Sequence, residues 1–354
     1  MHRLPLDHPA LHWVNVAELE RGGDGLIPLR FPRAVIAGFD GMIPIARMST
    51  GIELQLPAAV TAAEFAVRLL DDDGYGLQAE VYRGPFKVLP TWRLRAGCRT
   101  TQRARFELVN RRGADYPVRL LFPTHVVPEL VDLRVQTAAG ADLAAPFAPY
   151  DYRGHAAGRR LTWLVQGDSI TQGANVSCPS GTWVDLTARR LALKPVNLGI
   201  GGHGKAEPAM ARYLASRSDH DLLGLHIGAN CARPGEAEAF LARFAALLDA
   251  VRAARPALPI VVGTPIPHFS DEDPPPDGRA MQMPLVRDGL TAECAHRQAA
   301  GDAHLYVVDG RALLDGIAGG LLADGVHIHD FAAAVISERL AAHLAPILAR
   351  EFPA

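Results

Sequence analysis

Two rhythms of apolar and polar positions divide the chain. From about residue 30 to 138, apolar and polar residues mostly alternate: Glu53-Leu-Gln-Leu56, Glu64-Phe-Ala-Val-Arg68, Gln78-Ala-Glu-Val-Tyr82, Arg105-Phe-Glu-Leu108, Val118-Arg-Leu-Leu-Phe122 and Leu130-Val-Asp-Leu-Arg-Val135. A strand sends successive side chains to opposite faces, so a period of two predicts half-buried strands. Turn residues such as Asp72-Asp-Gly74 and Asn110-Arg-Arg-Gly113 separate the runs. The expectation is an antiparallel β-sandwich. Between Ala138 and Arg160 the pattern lapses into Ala, Gly, Pro and Tyr, which reads as a linker. The expected domains are 1–150 and 160–354.

From Leu161 the rhythm changes. Continuous apolar runs cover Leu161 to Val165, Pro195 to Ile200, Asp221 to Ile227, Pro259 to Ile266 and His304 to Val308. Between them Phe240, Phe244, Leu247, Leu248 and Val251 recur at helical spacing, as do Ala332, Val335, Ile336, Leu340, Leu344 and Ile347. Strand and helix in alternation predict a parallel sheet covered on both faces. Functional groups in such sheets gather at the carboxyl ends of the strands.

Composition narrows the partners. Of 354 residues, 49% are apolar and 21% charged, which suits a globular chain with a sizeable core. The net charge is −2 with no extended basic run, which argues against nucleic acid. Arginines between Arg93 and Arg134 alternate with apolar residues, as outward strand positions do. Met1 to His8 lacks the apolar stretch of a secretory signal, and no run reads as long and apolar enough to span a bilayer. Cys98, Cys178, Cys231 and Cys294 are scattered without metal-ligand spacing. A reduced, cytoplasmic setting is expected.

The first apolar run of the second half empties into Gly167-Asp168-Ser169-Ile170-Thr171, and far downstream stands Asp324-Gly325-Val326-His327. A serine just past a strand is held on a tight turn. A histidine can take its proton, and an aspartate three residues earlier can orient the ring. Gly201 and Gly202 follow the second predicted strand, Asn230 the third, and Asp324 and His327 the last, so all belong at one sheet edge. Acyl-transfer chemistry then gives each a role. Ser169 attacks an ester carbonyl, His327 is general base and then acid, and Asp324 holds the tautomer. The N–H groups of Ser169 and Gly202 and the Asn230 amide could form the oxyanion hole.

These residues resemble the four sequence blocks of the GDSL/SGNH esterase-lipase family: Gly167-Asp-Ser-Ile170, Asn197 to Gly202, Gly228-Ala-Asn230 and Asp324-Gly-Val-His327. The resemblance implies a flavodoxin-like α/β/α fold and hydrolysis of carboxylic esters without metal or cofactor. It assigns Ser169 as nucleophile, Gly202 and Asn230 to the oxyanion hole, and Asp324 and His327 to the rest of the triad. The β-rich lead resembles the jelly-roll-like domain of a two-domain subgroup, some members of which deacetylate sugars. An ester of a small molecule, including an acylated carbohydrate, is therefore the expected partner. Ile170, Gly201, Cys231 and Ile328 depart from residues common in the family, which leaves the substrate open.

Each feature also has a plainer reading. Ser169 could cap the following helix, and Asn230 could satisfy loop backbone. Asp168 reads as structural, holding the turn. His203, His226 and His268 carry no assigned role. The run Gly199-Ile-Gly-Gly-His-Gly204-Lys205 satisfies a phosphate-cradle pattern, but Ala206 stands where a magnesium-binding hydroxyl belongs. The run His327-Ile-His329-Asp330 lacks further metal ligands nearby. The polar stretch from Ser270 to Gly278 could be a loop over the pocket or an idle surface loop. A non-catalytic carbohydrate-binding protein and a nucleotide-dependent enzyme are the rival classes. The β domain could narrow the pocket, bind a glycan or join two copies.

Overall fold

A computed structural model gives the structure of the protein and describes residues 1–39, 41, 43–108, 116–143, 147–150, 161–271, 282–315 and 324–353. The chain divides into two compact units. One comprises Met1–Ile36, Ile43–His155 and Ser177–Ser180; the other comprises Ala37–Met42, Ala156–Val176 and Gly181–Ala354. Two short segments are thus exchanged between units that the sequence rhythm had separated cleanly. The expected boundary at 150–160, with most of the linker, lies outside the described residues, as do 272–281 of the polar loop.

The first unit is all-β. One antiparallel sheet runs in the order Glu18–Arg21, Leu26–Leu29, Val126–Thr137, Val60–Asp72, Gln102–Glu107, with His2–Arg3 also paired to Val126–Thr137. The other runs His12–Val14, Glu53–Leu56, Val118–Leu121, Gln78–Arg83, Phe86–Arg93. Inward residues of both sheets share one core, with Leu54, Val81 and Leu120 from one and Phe65, Leu130 and Leu133 from the other. Several outward arginines answer acidic residues on the same sheet. Arg103 pairs with Glu64 and Asp132, and Arg134 with Asp132. Arg119 is an exception: it is buried, bonded to Glu53 and set over Tyr82 and Tyr150.

The second unit holds five parallel strands, β1 (Thr162–Gly167), β2 (Lys194–Asn197), β3 (Leu222–His226), β4 (Ile260–Gly263) and β5 (Leu305–Val308). Their order is β2-β1-β3-β4-β5, the flavodoxin-like winding. Helices α1 (Ser169–Gln172), α2 (Trp183–Arg190), α3 (Pro208–Ser216), α4 (Ala237–Ala254), α5 (Met283–Ala299), α6 (Gly310–Leu314) and α7 (Asp330–Glu351) connect and flank them. The predicted stripe of α4 is buried throughout, from Phe240 to Val251. In α7, Ala332, Ile336, Leu340 and Leu344 are buried, while Val335 and Ile347 are partly covered.

One expectation needs correction. Helix α7 is, by length and composition alone, long and apolar enough to cross a membrane. It was missed because Glu338, Arg339 and His343 interrupt its apolar residues. Its buried stripe packs in the same core as Trp163, Trp183 and Val261, which is the place of a domain's core helix.

Candidate active site

All five strands run the same way, so their carboxyl ends and the loops that follow lie along one edge. Ser169 follows β1 at once, as the first residue of α1. This helix is only four residues long and is held at both ends. Asp168 caps its start, and Gly173 ends it at φ 95°, where the Gly173 N–H reaches the Ser169 carbonyl. A helix leaves its first N–H groups without helical acceptors. The Asp168 carboxylate accepts from Ile170 at 2.9 Å and also from Thr171. Among the described residues the Ser169 N–H is the one of these left over, which suits it to a developing negative charge. The helix cap, the plainer alternative for Ser169, is thus supplied by Asp168, the residue read as holding the turn.

Asp168 is buried, and desolvation pushes its carboxyl up to about 6, against the pull of its backbone donors and of His327.

His327 Nε2 lies 3.0 Å from Ser169 Oγ, and His327 Nδ1 lies 2.7 Å from Asp324 Oδ2. Asp324 Oδ1 also accepts the N–H groups of Val326 and His327, both at 2.9 Å. This tight Asx turn brings a carboxylate to an imidazole three residues on. Burial works against the Asp324 charge, but the bonds from His327 and the two N–H groups outweigh it and hold the carboxyl below its ordinary range. The turn is tied to the loop after β4, where the Phe269 N–H donates to the Gly325 carbonyl at 3.0 Å.

The loop after β2 is fixed from several sides. Asn197 donates to the Thr171 carbonyl at 2.7 Å and accepts the Gly199 N–H at 2.9 Å. Gln172, within the short helix, accepts the Gly201 N–H at 2.6 Å. A side chain at 199 would collide with the Gln172 backbone, so glycine is required there. Gly202 adopts φ 74°, a left-handed conformation that glycine takes without strain. Asn230, in the turn after β3, donates through Nδ2 to the His203 carbonyl at 2.8 Å. An amide carries two N–H donors, so one of them anchors this loop and the other has no acceptor among the described residues.

The structure brings Ser169, His327 and Asp324 into one hydrogen-bonded chain. It sets Gly202 and Asn230 on neighbouring loops joined through His203. Gln172 and Asn197 were not singled out as positioning groups, although Asn197 opens the second sequence block. His203 is buried, bonded to Glu207 through Nδ1 and packed edge-on against Phe39, with ring centroids 5.5 Å apart. A carboxylate stands just past the phosphate-cradle pattern and turns back onto it, since Glu207 accepts the Lys205 N–H at 3.3 Å. Among the described residues no cluster of three His, Cys, Asp or Glu could hold a metal ion.

The fold is an α/β domain with a flavodoxin-like parallel sheet, and the Ser169–His327–Asp324 chain lies at the carboxyl edge of that sheet. Residues 165–331 match the model of the GDSL-like Lipase/Acylhydrolase family. Solved structures resemble the whole chain. The salicylyl-acyltransferase SsfX3 from a tetracycline biosynthetic pathway superposes with a TM-score of 0.80 at 20% identity, over 98% of both chains. A structure described as a GDSL-like lipase from Bacteroides ovatus gives 0.72 at 16%, over 98% of both. A family two carbohydrate esterase from Clostridium thermocellum, in complex with cellohexaose, gives 0.61 at 14%, over 95% of this chain and 99% of that one. At such identities the likeness shows the two-domain fold. No curated protein matches by sequence.

Proposed function

We propose that the protein is a serine esterase acting on small carboxylic esters through an acyl-enzyme. The observation that carries the reading is His327 Nε2 at 3.0 Å from Ser169 Oγ, with Asp324 on the opposite ring nitrogen. In the first step the Ser169 Oγ–H proton passes to His327 as Oγ bonds the ester carbonyl carbon. The oxyanion takes hydrogen bonds from the Ser169 and Gly202 N–H groups and the Asn230 amide. The C–O bond to the alcohol then breaks, and His327 returns the proton to the leaving oxygen. Water, deprotonated by His327, attacks the acyl-enzyme, and the acid and free Ser169 result.

The carbohydrate esterase named above shares the two-domain fold, which supports an acylated sugar as one substrate class for this chain. The acyltransferase likeness favours a second reading in which an alcohol replaces water in the last step. The chemistry up to the acyl-enzyme is the same. Purified Ser169→Ala should lose turnover of p-nitrophenyl acetate. Undiminished turnover in that variant would rule out Ser169 as nucleophile, and adding acceptor alcohols to the wild type separates transfer from hydrolysis.

A further inference from the structure

A cavity of about 50 Å³ is lined by the chain neighbours of Ser169 and His327 rather than by those two residues themselves. Its wall includes Asp168 and Ile170, which flank the serine, and Val326, which precedes His327. Trp183, His226 and Ile336 form another part of it. A water molecule needs about 10–15 Å³ measured this way. The space therefore suits a tail of roughly three to five non-hydrogen atoms beyond the ester carbonyl.

Most of the wall is aliphatic or aromatic, and His226 stands out against it. It is the last residue of β3, paired across the sheet with Gly167 on one side and Gly263 on the other. A side chain at 263 would collide with the imidazole, so glycine there makes the room it occupies. The Trp183 ring packs edge-on against it, with centroids 4.6 Å apart. His226 Nε2 is buried and has no hydrogen-bond partner among the described residues. Desolvation holds the ring down to about 4, so it is uncharged at neutral pH. A buried polar atom without a partner is costly, and one in a pocket wall is satisfied when a ligand supplies the missing group. A neutral imidazole offers no counter-charge to a buried carboxylate, and the Asp168 carboxyl in the same wall opposes one. A hydroxyl, which both donates and accepts, satisfies Nε2 in either tautomer.

We propose that this cavity receives the acyl group and that His226 Nε2 hydrogen-bonds a hydroxyl on it. The preferred substrates are then compact hydroxyacyl esters whose acyl group carries no carboxylate. This rests on the ester-hydrolase reading and names the acyl class for the same site.

The test compares p-nitrophenyl esters of 3-hydroxybutyrate, as each enantiomer, and of 3-methylbutyrate. The pair differs by hydroxyl against methyl at one branch. With kcat/KM corrected for each ester's spontaneous hydrolysis, the full-length wild type should favour one hydroxyl enantiomer by about tenfold, the scale of one hydrogen bond. His226→Phe keeps a ring and loses the nitrogen, so the ratio should fall to one or invert. His226→Gln keeps a donor and should retain part of the preference. If the wild type turns over the methyl ester as well as either hydroxyl enantiomer, the proposal is overturned, whatever the variants do. A preference undiminished in His226→Phe also overturns it. Turnover of p-nitrophenyl acetate without discrimination removes only this pocket assignment. No turnover of any of these esters removes the esterase reading and this inference with it.

Discussion

The side-chain amide of Asn230 donates to the main-chain carbonyl of His203 at 2.8 Å, tying the turn after β3 to the loop after β2. Asn230 thus anchors Gly202 through the next residue in the chain, and in the proposed mechanism its second N–H goes to the oxyanion. Asn230→Ala removes both. The expected loss in kcat is about 10²–10³, the range for an oxyanion-hole donor, with a smaller change in KM. Equal kcat in variant and wild type would remove Asn230 from the oxyanion hole.

Asp324→Asn keeps an oxygen for the turn but replaces the carboxylate at His327 Nδ1. For a buried carboxylate this change costs about 10⁴ in kcat. Asp324 is half-exposed, with 46% of its side chain accessible, so solvent screens the pair. A loss on the order of 10²–10³ is expected. Because Asp324 titrates below its ordinary range, lowering the pH to 5 leaves it ionised. Acid inactivation above that pH should therefore persist in Asp324→Asn. A variant with no acid limb would contradict this.

Gly228 opens the turn that carries Asn230, at φ 104°. A Cβ there would stand 2.7 Å from Val286 Cγ1 and 2.9 Å from the Phe240 ring. Gly228→Ala should destabilise the protein by about 1–3 kcal/mol through overpacking, with backbone strain in addition. Urea unfolding measures this, and an unchanged midpoint would show that the turn yields freely.

Asp168 provides a pH test. Its folded carboxyl is pushed up to about 6 from 3.8, chiefly by desolvation, so the folded chain favours the protonated form. That contribution is complete below the unfolded value and is lost as pH rises through about 6. Asp168→Asn cannot ionise and still has an oxygen for the helix cap. Its Tm relative to wild type should be more favourable at pH 8 than at pH 4, by the equivalent of about 3 kcal/mol at most. A pH-independent difference would show that Asp168 titrates normally.

Ser169, Gly202 and Asn230 were legible because each follows a strand closely, whereas Asp324 and His327 stand beyond α6, well past the end of β5. Ser169 is two residues past β1 and Asn230 four past β3. The apolar runs marking those strands are continuous, as burial on both faces demands. Elsewhere the pattern failed for physical reasons. Helix α5 buries Met283, Val286, Leu290 and Cys294, but its stripe also contains Arg287, which is buried through bonds to Asp271 and two carbonyls. The strand Phe86–Arg93 is mostly exposed and contains Pro90, so alternation is weak. Leu26–Leu29 is short and interrupted by Pro28. The exchange of Ala37–Met42 and Ser177–Ser180 depends on contacts distant in sequence, which no local period encodes.

The central claim is that Ser169 is a nucleophile activated by His327, and active-site labelling tests it most directly. Folded wild-type protein is treated with a fluorophosphonate, and the modified peptide is identified by mass spectrometry. The account predicts one adduct per chain on Ser169, formed at least about 10²-fold more slowly in His327→Ala and absent from unfolded protein. An unmodified Ser169 in folded wild type, or labelling as fast without His327, would contradict it.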